Sequence, residues 1–160
     1  MEITTATLAD LDALAAIEAA CFPAAEAAAR EEIEERLRVY AAHFYIAREK
    51  GAAIGFIDGM VTDEKDLLDE LYADAARHDE KGAWQMIFGL NTLPAYRRRG
   101  VAAALIEVLC AAARAQGRRG VVLTCKERLL PYYAKFGFVD EGVSDSTHGG
   151  VVWHQMRLTF

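Results

Sequence analysis

Apolar positions along the chain switch between helical and strand periods, and the switches divide it into elements. Residues 2–5 read as a short strand. Thr7-Leu-Ala-Asp10 reads as a capping box opening a helix with Leu11, Leu14, Ala15 and Ile17 along one side, ending near Cys21-Phe22-Pro23. A second helix is predicted from about residue 26 to 42, because Ile33, Leu37 and Tyr40 recur at three-to-four spacing while Glu31, Glu32, Glu34 and Glu35 face water. Residues 44–48 and 53–60 are apolar runs parted by Glu49-Lys50-Gly51, the mark of a hairpin.

Residues 62–79 carry Leu67, Leu68, Leu71 and Tyr72 among many acids, which predicts an amphipathic helix lying over the domain, as a lid or an insertion. Residues 84–92 predict a strand, 94–99 a loop, and 100–116 an Ala-rich helix stopped by Gly117. An all-apolar strand over 120–124, a short helix over 130–136 and an alternating strand over 151–158 complete the chain. No repeat, low-complexity tract or linker interrupts it. A length of 160 residues then suits a single domain spanning 1–160 around one core.

Composition changes this picture little. Charged and apolar residues are mixed as in ordinary globular proteins, which argues against disorder. No apolar run approaches the roughly 20 residues that cross a bilayer, and the first residues lack the basic-then-apolar order of a signal peptide. A cytoplasmic protein without a membrane partner is expected. Cys21, Cys110 and Cys125 are odd in number and widely spaced, which fits reduced thiols and suggests neither a disulfide framework nor a metal site. The net charge of −6 argues against a nucleic-acid partner.

Against that acidic background one basic cluster stands out. Leu90-Asn91-Thr92 leads through Leu93-Pro-Ala-Tyr to Arg97-Arg98-Arg99-Gly100-Val101-Ala102-Ala103, so a strand runs into a basic turn that ends on a helix start. Helix starts present unpaired N–H groups and a positive dipole end, which suits a pyrophosphate. Gly100 and Ala102 have no side chain large enough to keep phosphates away. The Gly-Lys-Ser/Thr ending of a nucleotide P-loop is missing.

Arg97-Arg98-Arg99-Gly100-Val101-Ala102 resembles the Gln/Arg-x-x-Gly-x-Gly/Ala signature of the Gcn5-related N-acetyltransferase superfamily. Cys125-Lys-Glu-Arg-Leu-Leu-Pro-Tyr132-Tyr133-Ala-Lys135-Phe-Gly137-Phe138 is similar to that family's fourth helix and following turn, and in particular to its arylalkylamine branch. The resemblance implies an α+β fold (α/β in the broad sense): a central mixed, mostly antiparallel twisted sheet of about six to seven strands with four to five helices. It also implies acetyl-CoA as co-substrate. The backbone of Leu90, Asn91 and Thr92 would pair with the pantetheine arm, and Arg97 to Ala103 would hold the pyrophosphate.

The same resemblance puts Tyr133 where the family protonates the departing thiolate, with Tyr132 as the fallback, and implies transfer to a primary amine, a small molecule, by direct attack in a ternary complex. Met86 and Phe88 stand where the arylalkylamine branch carries two histidines. Deprotonation then falls to water, ordered by Glu26 or by His148, or to an amine that arrives neutral. Phe22, Pro23, Met86 and Phe88 are candidates to line an apolar acceptor pocket, and the acids of 63–80 to attract a cationic amine. Two other readings stay open: an acyl-CoA-binding or sensing module with little turnover, and an acetyltransferase acting on protein amino groups. A monomer or a homodimer is expected.

Overall fold

The computed structural model describes residues 1–160, which pack as two compact units. The first holds 1–59 and 89–109, the second 60–88 and 110–160.

In the first unit four antiparallel strands lie in the order β1 (Glu2–Thr5), β2 (Phe44–Glu49), β3 (Ala52–Asp58), β6 (Gly89–Thr92). The predicted hairpin joins β2 and β3, and its two turn residues, Lys50 and Gly51, both have positive φ (51° and 83°), as a tight turn matched to strand twist requires. The capping box forms as read: Thr7 Oγ1 accepts from the Ala9 N–H and Asp10 Oδ2 from the Thr7 N–H, at the head of a 3-10 turn that runs into α1 (Leu11–Cys21). α2 (Arg30–Tyr40) starts four residues later than the periodicity suggested, because Pro23 begins a separate turn and Glu32 accepts from the Ala29 N–H. α1 packs against β3 and β6, and the core holds Leu14, Ile33, Phe44, Ile46, Phe56 and Ile57.

Gly55 of β3 has no room for a side chain against β6. A Cβ there would stand 2.5 Å from the Asn91 carbonyl oxygen, which is backbone and cannot swing aside. Gly55→Ala is therefore expected to destabilise the protein by about 1–3 kcal/mol, the usual effect of overpacking. An unchanged urea midpoint would show that the strands yield without loss.

The second unit holds the order β4 (Val61–Thr62), β5 (Trp84–Ile87), β7 (Gly120–Cys125), β9 (His154–Thr159), β8 (Val139–Val143), in which β5 and β7 are parallel and the other pairs antiparallel. α5 (Leu130–Ala134) is the predicted short helix. α4 (Val101–Ala115) begins in the first unit and ends in the second, its Leu105, Ile106 and Leu109 buried.

The α+β class and the mixed, mostly antiparallel pairing are as expected, with five α-helices. Three details differ. The single strand expected over 84–92 is broken at Phe88, where the chain leaves one sheet for the other. The long helix expected over 62–79 is only α3 (Asp69–Ala73) and a 3-10 turn, because the Asp74 carboxylate accepts from the Ala76 N–H and starts a new turn. β8 escaped notice because all but one of its residues are exposed, which removes the alternation that marks a strand. No helix is long and apolar enough to cross a membrane, and all three cysteines are free thiols.

Candidate functional site

β6 is an edge strand whose only partner is β3. The Leu93 N–H donates to the Ile54 carbonyl, so in the register Phe56↔Asn91 and Asp58↔Gly89 the residues Gly89, Asn91 and Leu93 spend their backbone groups on β3. Leu90 and Thr92 turn theirs to the other edge. Thr92 O already accepts from Cys21 Sγ (3.3 Å) and Arg97 Nε (3.1 Å). What remains is a short edge able to take an extended, amide-bearing chain as an added strand.

Past β6 a 3-10 turn opened by Pro94 leads to the three exposed arginines. Arg97 is tied back to Thr92, and Arg99 lies over the Tyr96 ring at 5.3 Å. Arg98 and Gly100 both have positive φ (63° and 81°), which bends the chain sharply into α4. A Cβ on Gly100 would meet nothing within 4 Å, so this glycine serves the bend and leaves open space beside it. The first α4 hydrogen bond runs from the Ala104 N–H to Gly100 O, so the amides before it have no partner within the helix. Charge, open space and free N–H groups meet at this helix start.

In the second unit Tyr133 is 9% exposed, with its ring edge-on to Tyr132 at 5.4 Å and to Phe138 at 6.1 Å. Burial, and behind it Cys125, Tyr132 and Tyr72, push its phenol above the ordinary tyrosine range, so it stays protonated. Cys125, buried beside Met156, is pushed up to about 11 by burial and stays a thiol.

A column of rings borders this region: Phe88 against Tyr72 (4.5 Å), Tyr72 parallel to His148 (5.9 Å), and His148 against Trp153 (6.3 Å). The Tyr72 hydroxyl shares a 3.0 Å hydrogen bond with Thr124 Oγ1. His148 is held in place through its loop, since Asp69 accepts from Ser146 Oγ and from the Thr147 N–H, and the His148 carbonyl accepts from Trp153 Nε1.

Of the predicted pocket residues in this unit, Phe88 and His148 come together through Tyr72. Met86 does not join them. It is fully buried and its N–H donates to Met60 O. In the first unit Phe22 and Glu26 are half-buried and Pro23 exposed, all in the turn after α1.

Sequence reading missed Tyr72, Thr124 and Trp153 as neighbours, because they come from three separate segments. It also missed a buried charged group in the first unit formed by Glu18, Arg36 and Asp58. A signal for two of these existed: Arg36 falls in the Ile33–Leu37–Tyr40 stripe, and Glu18 follows Leu11 and Leu14 at helical spacing.

The family model described as Acetyltransferase (GNAT) family matches residues 11–138. No functionally curated protein matches the sequence. Among solved structures the chain is similar to the GphF GNAT-like decarboxylase in complex with isobutyryl-CoA, at 23% identity and a TM-score of 0.86, covering 99% of each chain. It is also similar to the ribosomal-protein-S18-alanine N-acetyltransferase from Escherichia coli (16% identity, TM-score 0.73, 99% and 92% covered). A third is a GNAT family acetyltransferase from Brucella melitensis in complex with acetyl-CoA (22%, 0.64, 99% and 87%). At these identities the likeness is one of fold.

Proposed function

Because the chain belongs to the acetyltransferase (GNAT) family, we propose that it uses acetyl-CoA to acetylate a primary amine, a small molecule, by direct attack in a ternary complex. The observation that carries this reading is the continuous run from the free edge of β6 through Arg97, Arg98 and Arg99 to the amino end of α4. Leu90 and Thr92 offer backbone groups to the pantetheine arm. The unpaired amides from Gly100 to Ala103, with the arginines, receive the pyrophosphate.

Tyr133 donates the proton to the departing thiolate, for which a phenol held protonated by burial is suited. The amine is deprotonated by water near Glu26 or His148, or arrives neutral. With Met86 and Phe88 in place of the two histidines of the arylalkylamine branch, the acceptor is proposed only as a primary amine.

The test is calorimetric binding of acetyl-CoA, then thiol release against a panel of aralkylamines, polyamines, amino acids and aminoglycosides. Gly100→Glu, which sets a carboxylate at the bend, is expected to raise the acetyl-CoA Kd about tenfold or more through charge repulsion and loss of the left-handed turn. Wild-type affinity in a folded variant would remove the phosphate site from this loop.

A second reading has an observation of its own. Of the Tyr72 hydroxyl and Thr124 Oγ1 one donates to the other, so at most one O–H, beside the His148 ring stacked on Tyr72, is a donor for a carbonyl that gains negative charge. Such a group fits decarboxylation of a β-carboxyacyl-CoA, in which the bond to the carboxylate breaks, carbon dioxide leaves, and the electron pair passes to the thioester enolate before a proton restores the acyl group. The fold likeness to a GNAT-like decarboxylase supports including a malonyl-CoA arm. Carbon dioxide release without thiol release on any amine favours it. Tight binding without either product favours a sensing module.

A further inference from the structure

Directly beneath β6, polar side chains from four elements converge in the core of the first unit. Glu18 of α1, Arg36 of α2, Asp58 of β3 and Asn91 of β6 are each at most 6% exposed. Arg36 Nη1 lies 3.4 Å from Asp58 Oδ2, and Glu18 Oε2 accepts from the Ala28 N–H at 2.9 Å. The group meets at Gly89, where a Cβ would stand 2.9 Å from Asp58 Oδ1, 3.2 Å from Asn91 Nδ2 and 3.5 Å from Glu18 Oε1. Asp58 pairs with the one guanidinium, Glu18 interacts with it through charge alone, and Asp58 Oδ1 has no hydrogen-bond partner.

Charge balance calls for one proton on the pair. With both carboxyls ionised the group carries a net negative charge in a medium that solvates it poorly. Burial pushes Asp58 up to about 7, reinforced by Glu18 and opposed by Arg36. Burial also raises Glu18, opposed by the Ala28 N–H, Arg36 and Asn91, with Glu32 of α2 adding to the rise. Tyr40 of α2 faces both Arg36 and Asp58, and burial raises its phenol, so it stays neutral.

The position of this group gives it a consequence for the site. Gly89 and Asn91 face it, and the residues alternating with them, Leu90 and Thr92, present the free edge. We propose that Glu18, Arg36, Asp58 and Asn91 position the acyl-CoA edge of β6, and hold it in binding geometry only while their carboxyl pair keeps one proton. Loss of the proton puts an unbalanced charge against Gly89, which draws water or N–H donors inward and moves the strand. These are positioning residues. The inference rests on the proposed use of this edge by acyl-CoA.

The experiment is calorimetric titration of the full chain with acetyl-CoA from pH 5.5 to 8.5, in buffers of different ionisation enthalpy. Wild-type affinity is expected to fall about tenfold as pH rises through 7, with net proton uptake on binding. Asp58→Asn, neutral and of the same shape, is expected to keep the low-pH affinity throughout, leaving only the slope of the CoA phosphates. Glu18→Gln should flatten the curve in the same way, which keeps the test sound if one variant folds poorly. Parallel slopes in wild type and both variants would overturn the proposal while leaving acyl-CoA binding intact. Absence of binding by wild type at every pH would instead remove the acyl-CoA reading, and this inference with it.

Discussion

Replacing Arg36 with methionine is expected to lower folding stability by about 3–5 kcal/mol, the usual loss when one partner of a buried ion pair is removed. A domain holds only about 5–15 kcal/mol in total. Methionine keeps most of the stem that packs in α2, so the loss comes from Asp58 and Glu18, both buried and left without a counter-charge. The effect should depend on pH. The Asp58 carboxyl titrates at about 7 in the fold against an ordinary 3.8, so the folded chain binds that proton more tightly than the unfolded one. Stability from it is complete below the ordinary value and is lost as pH rises through about 7. Removing Arg36 raises the carboxyl further, so urea unfolding should show a larger deficit at pH 8 than at pH 5. An equal deficit at both would mean that Arg36 stabilises by packing alone.

Tyr133→Phe is expected to lower kcat by about 10²–10⁴, the range for loss of a positioned general acid, with little change in acetyl-CoA affinity. Phenylalanine retains the ring and its edge contacts with Tyr132 and Phe138, so the fold has no reason to fail. Only the hydroxyl is removed, and in the wild type burial keeps that group protonated well past neutral pH. Measured with the best amine of the panel, kcat within twofold of wild type would end its assignment as donor. Because Tyr132 packs beside it, Tyr132→Phe is the matched control, and a larger loss there would transfer the role to that residue.

The residues of the candidate site differ in how far they can be read without coordinates. The run from Leu90 to Ala103 is contiguous, and its chemistry is that of a strand end, a bend needing Gly100 and a helix start, all local properties that residue types record directly. The capping box at Thr7 and the turn at Lys50-Gly51 are legible for the same reason. Failure came where a residue's neighbours lie far away in sequence. His148 stands at the end of the polar run Ser144-Asp-Ser-Thr147, yet Asp69 holds that loop from 77 and 78 residues away, and the imidazole is stacked on Tyr72.

The α+β class, the family, and the strand, basic bend and helix through which an acyl-CoA is proposed to bind are all legible in the order of the residues. These depend on periodicity and backbone conformation, which each residue carries with it. The tertiary structure alone decided that Glu18, Arg36, Asp58 and Asn91 form one buried group beneath that strand, and that Tyr72, Thr124 and His148 stand together. A periodic pattern says which face of an element is turned inward. Which distant side chain meets that face, and whether a charge there finds its partner, is fixed only when the sheet and helices pack.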